Sequence, residues 1–288
     1  MRRGHWAGIA AGLAVVAAAA VTAGCGGGGG SALSLDPVAA AATKTQQAGA
    51  ARLRLALSLS GPQLQGGKAL RLTGAGAIDG TSGELTIDTS SLVGSTGIAA
   101  PAGTSVHEVS LREDGDYVVY VELAALAAHL PDGKHWVKLD ISKLGKSAGV
   151  DLGKLLSGSQ FQPSDVLSML EAEGATITNL GSATVDGTAA THYRVTIDVA
   201  KALQAKGLTS PLLAGVAAQL PTVPADVWIG RDGLVHRIRI SLGLARSHVG
   251  LTIDLYDYGT HVSITAPPSS DVYDATQLAE QGIAGGLH

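Results

Sequence analysis

From Arg52 to Ser60 the chain alternates without a break, with Leu53, Leu55, Leu57 and Leu59 on one side and Arg52, Arg54, Ala56, Ser58 and Ser60 on the other. A period of two is that of a β-strand with one dry and one wet face, the pattern of an antiparallel sheet. Related stretches predict strands at 70–78, 83–88, 106–112, 117–123 and 135–141, then at 175–180, 183–185 and 190–199. A last block predicts strands at 226–230, 234–242, 249–258 and 261–265, with Pro267-Pro268 expected to end the sheet. Asp114-Gly115, Pro131-Asp132-Gly133, Asp186-Gly187 and Arg231-Asp232-Gly233 supply turn chemistry between neighbours.

Helical signals are fewer. Asp36-Pro37 reads as N-cap and first residue of a helix toward Gln47, stopped by Gly49. Residues 141–160 form a mixed, Gly- and Lys-containing segment, and Gln162-Pro163-Ser164-Asp165 opens a short amphipathic helix toward Glu173. A helical stretch at 201–220 is broken at Gly207 and restarted by Ser210-Pro211, and a short helix is expected near 274–281. The fold class is therefore α+β: a strongly curved antiparallel sheet with a few helices covering its concave side. Such a sheet with so little cover either closes into a barrel or keeps an apolar concavity.

The N-terminal region follows a different grammar. Arg2 and Arg3 precede an almost unbroken apolar run from Trp6 to Ala23, as in a secretory signal peptide. Ala23-Gly24-Cys25 resembles the lipobox at which bacterial prolipoproteins are acylated and cleaved, although Thr22 stands where Leu or Val is commonest. Acylation of Cys25 also gives the one cysteine of the chain a role that no disulfide partner provides. Two or three acyl chains, at about 0.8 kcal/mol per buried methylene, hold a protein stably on a bilayer. Gly26 to Ser31 would then be a tether reaching roughly a dozen ångströms. The expected organisation is a signal peptide over 1–24, the lipidated Cys25 and tether over 25–34, one domain over 35–274 and a tail over 275–288.

Composition narrows the function classes. Apolar residues make up 45% and charged residues 15% of the 288 positions, so extended disorder is excluded. Without Arg2 and Arg3, 18 Lys and Arg face 24 Asp and Glu, a net charge of −6 that opposes nucleic acid and anionic bilayers alike. Aromatic residues at 3% leave little for base stacking or sugar platforms. An aliphatic ligand suits this chain better.

The segment Val227-Trp228-Ile229-Gly230-Arg231-Asp232-Gly233-Leu234-Val235-His236-Arg237-Ile238, with Gly187 to Val195 before it, resembles the actinobacterial lipoproteins of the LppX/LprG group, which share the LolA-like fold. The similarity extends over roughly 35–274. It implies a half-open β-barrel with helices across its mouth, an apolar cavity, and carriage of lipid or lipoglycan within the cell envelope without catalysis. Partners would be that ligand, the cytoplasmic membrane through acylated Cys25 (commonly with palmitate), and a candidate envelope transporter; nucleic acid is not expected. An acyl chain asks for a dry aliphatic wall. Alternation nominates Leu55, Leu57, Leu72, Ile87, Val119, Val121, Trp136, Leu167 and Leu170 for it. Ordinary core packing is the competing role for each.

Catalytic motifs are weak. Gly145-Lys146-Ser147-Ala148-Gly149 matches G-x-S-x-G, but a nucleophile elbow needs a buried strand entering and a helix leaving, and the flanks here are polar. Asp140 occupies the first glycine position of a P-loop ending in Gly145-Lys146-Ser147. Nine histidines are scattered, without a helical H-x-x-x-H pair, and neither metal nor cofactor is expected. The Glu171/Glu173 and Asp254/Asp257 pairs suit a solvated face better than glycoside chemistry. Lys201, Lys206 and the Lys143/Lys146/Lys154 group are candidates to meet anionic head groups. The alternatives to a carrier are an envelope scaffold lipoprotein with a filled core and an exported esterase using Ser147.

Overall fold

The computed structural model describes residues 37–62, 69–80, 82–91, 105–123, 130–147, 176–205, 211–244 and 246–286. Helix α1 (Pro37–Gln47) leads into β1 (Ala51–Ser60), β2 (Leu70–Asp79), β3 (Ser82–Asp88), β4 (Ser105–Glu113), β5 (Asp116–Leu123) and β6 (Trp136–Asp140). After α2 (Ile141–Ser147) come β7 (Thr176–Val185), β8 (Thr188–Asp198), α3 (Val199–Ala205), α4 (Pro211–Gln219), β9 (Thr222–Gly230), β10 (Val235–Leu244) and β11 (Ser247–Tyr256). Strand β12 (Val272–Asp274) and helix α5 (Thr276–Gly286) complete the described chain.

All twelve strands join one open sheet in the order β12-β6-β5-β4-β3-β2-β1-β11-β10-β9-β8-β7. Every pairing is antiparallel except β12 with β6. The α+β curved-sheet architecture read from the sequence is the one observed. Two-residue turns carry the left-handed backbone that hairpins require, with φ of 51° and 90° at Asp114-Gly115 and 48° and 83° at Asp186-Gly187.

The sheet is strongly coiled. In a flat sheet β8 and β1 would lie four spacings apart, about 19 Å. Yet Asp186, in the β7–β8 turn, hydrogen-bonds Arg54 of β1 and lies 3.5 Å from Arg237 of β10. Close strand approach contributes to this shape at Gly76, where a Cβ would come within 2.0 Å of the Glu84 carbonyl oxygen. At Gly74 the fit is looser, a Cβ meeting the Thr86 carbonyl oxygen at 2.9 Å and the Leu85 side chain at 3.2 Å.

Three expectations change. The segment 261–265 is not a strand, because β11 already has β1 on one edge and β10 on the other and offers nothing to pair with. The chain crosses instead to the free edge of β6 and adds β12 there, beyond Pro267-Pro268, which therefore do not end the sheet. The strands predicted at 175–180 and 183–185 are one continuous β7, bulged between Asn179 and Gly181, with φ of 97° at Gly181 and its N–H donated to Asn179 Oδ1. Part of the mixed segment is the helix α2, capped by Asp140 Oδ1 accepting from the Lys143 N–H at 2.9 Å.

Helix α3 starts at Val199, since Asp198 Oδ1 accepts from Lys201 N and acts as its cap. The region beyond 274 belongs to the packed structure: Thr276 Oγ1 accepts from the Asp140 N–H, and α5 lies against α2 and β6. Asp36, Ser210 and the helix predicted from Gln162 to Glu173 fall outside the described residues.

Replacing Gly76 with Ala is expected to lower unfolding free energy by about 1–3 kcal/mol, because the new methyl must push β3 away. Gly243→Ala, at a site with no heavy atom within 4 Å, is expected to be neutral or slightly stabilising. Urea unfolding of both variants checks the contrast.

Candidate functional site

Register carries one apolar face across the middle of the sheet. Leu55 pairs with Gly74 and Ile253, Leu57 with Leu72 and Leu251, and Leu59 with Leu70 and Val249. Gly74 in turn faces Ile87, which pairs with Val106. Leu53, Leu55, Leu70, Leu72, Leu85, Ile87, Val106, Leu251 and Leu255 form a buried aliphatic cluster, with Leu57, Leu59, Val121, Ile240 and Ile253 packed half-buried against it. Burying each such side chain is worth about 1.5–3 kcal/mol.

Of the nominated wall residues, Leu55, Leu57, Leu72, Ile87 and Val121 are thus brought together. Val119 is buried on the same face by register, opposite Ser110. Trp136 is not with them. Its neighbour Val137 pairs with Val121, so Trp136 turns to the opposite face and packs with Val109, Val118 and Tyr120. Leu167 and Leu170 lie outside the described residues.

The described helices pack most closely at the two ends of the sheet. Val38 and Ala41 of α1 lie on Val195, Val227, Ile229 and Val235, and α1 is tied down by Thr45 Oγ1 accepting from the Val235 N–H at 2.9 Å. Helix α2 lies on β5 and β6, where Ser142 Oγ accepts from the Tyr117 N–H, and α5 on β6. The leucines of β1, β2, β3 and β11 occupy the span between.

Two polar side chains interrupt this aliphatic face, and sequence reasoning did not single them out. Glu108 and Ser110 follow Val106 at the same parity on β4, with Glu108 opposite Leu85 on one side and Val121 on the other. They border a space of about 40 Å³ with Leu53, Leu55, Ile78, Leu85 and Ile253. Glu108 is 7% exposed and Ser110 4%. Ser110 Oγ donates to the Gly83 carbonyl at 3.3 Å. Burial in apolar surroundings pushes the Glu108 carboxyl up to about 7. Nearby, the Tyr117 hydroxyl is buried without a hydrogen-bond partner, and its pKa is pushed up to about 12, mainly by burial, with smaller influences from Ser110 and from the Glu108 charge.

The larger concavity is on the other face. A cleft of about 790 Å³ is bordered by apolar groups of Leu55, Ala56, Gly74 and Ala75 and by polar ones of β1, β2, β3, β4 and β11, with the turn residue Asp186. Its cations are already paired: Arg237 bonds Asp254 at 2.9 Å, and Asp186 bridges Arg237 and Arg54. On the leucine side the space found among the described residues is the small one of about 40 Å³, while the larger cleft is lined by polar and apolar groups together.

Ser147 ends α2 and donates to Glu280 Oε1 at 2.8 Å, with no strand entering it. At the C-terminal end of a helix the exposed groups are carbonyls, the wrong polarity for stabilising an oxyanion. The lysines do not gather either: Lys143 pairs with Asp140, Lys146 with Asp116 and Lys201 with Asp198, while Lys154 and Lys206 lie outside the described residues. Histidines sit beside carboxylates, His135 at 2.7 Å from Asp271 and His192 at 3.1 Å from Asp226, the latter ring stacked on Trp228 at 4.1 Å.

Fold and site together define an α+β protein built on one open, coiled sheet with a continuous aliphatic face. No family model matches the chain. An uncharacterised 31.2 kDa protein of the rplA–rplJ intergenic region of Streptomyces griseus is 29% identical over 232 residues, 76% of this chain and 73% of that one. Among solved structures the chain is similar to the lipoprotein LppX of Mycobacterium tuberculosis, at 17% identity and TM-score 0.42, covering 80% of this chain and 100% of that one. LprF from Mycobacterium bovis is similar at 14% identity and TM-score 0.41, over 81% and 96%. The LolA superfamily protein NE2245 from Nitrosomonas europaea gives 10% and 0.29, over 82% and 99%.

Glu108 makes stability depend on pH. Between its ordinary value of 4.5 and its folded value of about 7, the folded chain holds a proton that the unfolded chain releases. Its contribution is therefore complete below 4.5 and falls as pH rises through 7, by on the order of 3 kcal/mol in all. Glu108→Gln is expected to unfold at higher urea than wild type at pH near 8, with the gap shrinking by most of that amount near pH 5. A gap independent of pH would contradict the buried, unpaired carboxyl.

Proposed function

We propose that this protein is a membrane-anchored lipoprotein of the cell envelope that holds the acyl chains of a lipid or lipoglycan against its leucine face and carries them without catalysis. The observation that carries the reading is the continuous aliphatic stretch that the strand register builds on β1, β2, β3 and β11. A hydrocarbon tail offers no hydrogen bonds and is held by dry surface alone, which this stretch supplies. Acylated Cys25 would hold the domain at the outer face of the cytoplasmic membrane, where the tether keeps the exchange distance short and the effective concentration high. Among the described residues no helix is long and apolar enough to cross a membrane.

A second reading is supported by the small size of the space beside Glu108 and Ser110. At about 40 Å³ it is far below the roughly 300 Å³ and more of ligand pockets, so a tail enters only if side chains such as Leu55, Leu85 and Ile253 separate. If they do not, the leucine face is a filled core and the protein an envelope scaffold.

Native mass spectrometry of the full chain released gently from membranes separates the two. Bound lipid is expected. Leu57→Asp should cut its occupancy at least tenfold, whereas Ala56→Asp, on the larger cleft of the opposite face, should leave it unchanged. A chain that emerges free of lipid under all conditions would favour the scaffold. Cys25→Ala is expected to abolish palmitate incorporation and release the protein from the membrane fraction; continued labelling would refute the anchor.

A further inference from the structure

The leucine face contains a polar anomaly that packing alone does not account for. Glu108 projects from the middle strand region into an aliphatic cluster, 93% of its surface is withdrawn from water, and no hydrogen bond or ion pair is made by its carboxyl among the described residues. A carboxyl so far withdrawn from water among hydrocarbon side chains costs free energy that an apolar residue would not. Ser110 beside it gives its hydroxyl proton to the Gly83 carbonyl, and its oxygen can still accept. Tyr117 follows at the same parity on β5, 6% exposed, its buried hydroxyl within reach of Ser110 and of the Glu108 charge but with no well-formed hydrogen bond among the described residues.

We propose that Glu108 and Ser110, with Tyr117 behind them, form an internal polar notch that receives a hydroxyl group borne along an otherwise aliphatic lipid chain. This deepens the lipid-carrier reading and rests on it. Three observations fix the class of ligand. The notch is bordered by Leu53, Leu55, Leu85 and Ile253, so the atoms flanking the polar group must be hydrocarbon. Its volume of about 40 Å³ admits one small group and not a phosphate or a sugar. The free capacity is mixed, with acceptor sites on Glu108 and Ser110 and a hydroxyl on Tyr117, and a neutral alcohol both donates and accepts. A cationic group would instead place two charges in a dry interior, where desolvation offsets most of their attraction.

The full chain is loaded with an equimolar mixture of octadecanoic acid and a mid-chain hydroxyoctadecanoic acid, and the retained species are weighed by native mass spectrometry. Both probes share the same carboxyl end, so the ratio reports the internal hydroxyl alone. Wild type is expected to retain the hydroxy acid by about tenfold over the plain one, the worth of one well-placed buried hydrogen bond. Glu108→Leu should abolish that preference while keeping the plain acid bound. Glu108→Gln, which preserves shape and hydrogen-bonding capacity, should keep the preference and so guards against misfolding of the apolar variant.

Equal retention of the two acids by wild type overturns the notch and leaves the carrier reading standing; the polar groups then hold a buried water only. A preference that survives in Glu108→Leu overturns it as well. Retention of neither acid overturns the carrier reading, and the notch falls with it.

Discussion

Each leucine on β1 leaves water because the register sets it against a partner on both sides: Leu57 between Leu72 and Leu251, Leu59 between Leu70 and Val249. A slip of one residue would turn all four leucines of that strand to the opposite face and bring Arg52, Arg54 and Ser58 inward. The rest of the molecule depends on this register. It decides which face is aliphatic, where the glycines of β2 must stand to let Leu85 and Ile87 close over the strand, and which side the helices must approach.

The polar face is organised by the same alternation. Arg54, Arg237 and Asp254 share it, and the coil of the sheet brings Asp186 across to join them. Charges there are paired and partly solvated, so they contribute modestly to stability and mainly hold the β7–β8 turn over the cleft. Glu108 inverts that arrangement. It sits on the dry side with no counter-charge among the described residues, and burial makes its carboxyl hold its proton up to a pH of about 7. Among the described residues, one face therefore holds paired charge in the open, and the other holds the Glu108 carboxyl in apolar surroundings.

Much of this was legible in the sequence, because period-two alternation, Asp-Gly turns and the Pro37 start signal act locally. The strand at 52–60, the hairpin turns at 114–115 and 186–187, and the first helix follow from neighbours in the chain alone. What escaped depends on distant partners. Whether 261–265 pairs is decided by both edges of β11 being taken, and the parallel β12 by the free edge of β6; neither fact is local. Trp136 was misassigned because a five-residue strand gives too few alternations to set its phase against β5. Glu108 did leave a trace. In Val106-His107-Glu108-Val109-Ser110-Leu111 apolar residues appear at both parities, so one charged residue has to turn toward a buried face.

The central claim is that hydrocarbon chains lie on the leucine face and not in the larger cleft of the opposite face. Photocrosslinking with a fatty acid carrying a diazirine in its tail, followed by peptide mapping of the full chain, tests it most directly. Labels are expected on Leu57, Leu59, Leu251 and Ile253. Labels concentrated on Ala56, Thr73 and Thr252 would place the ligand on the opposite side of the sheet and contradict the account.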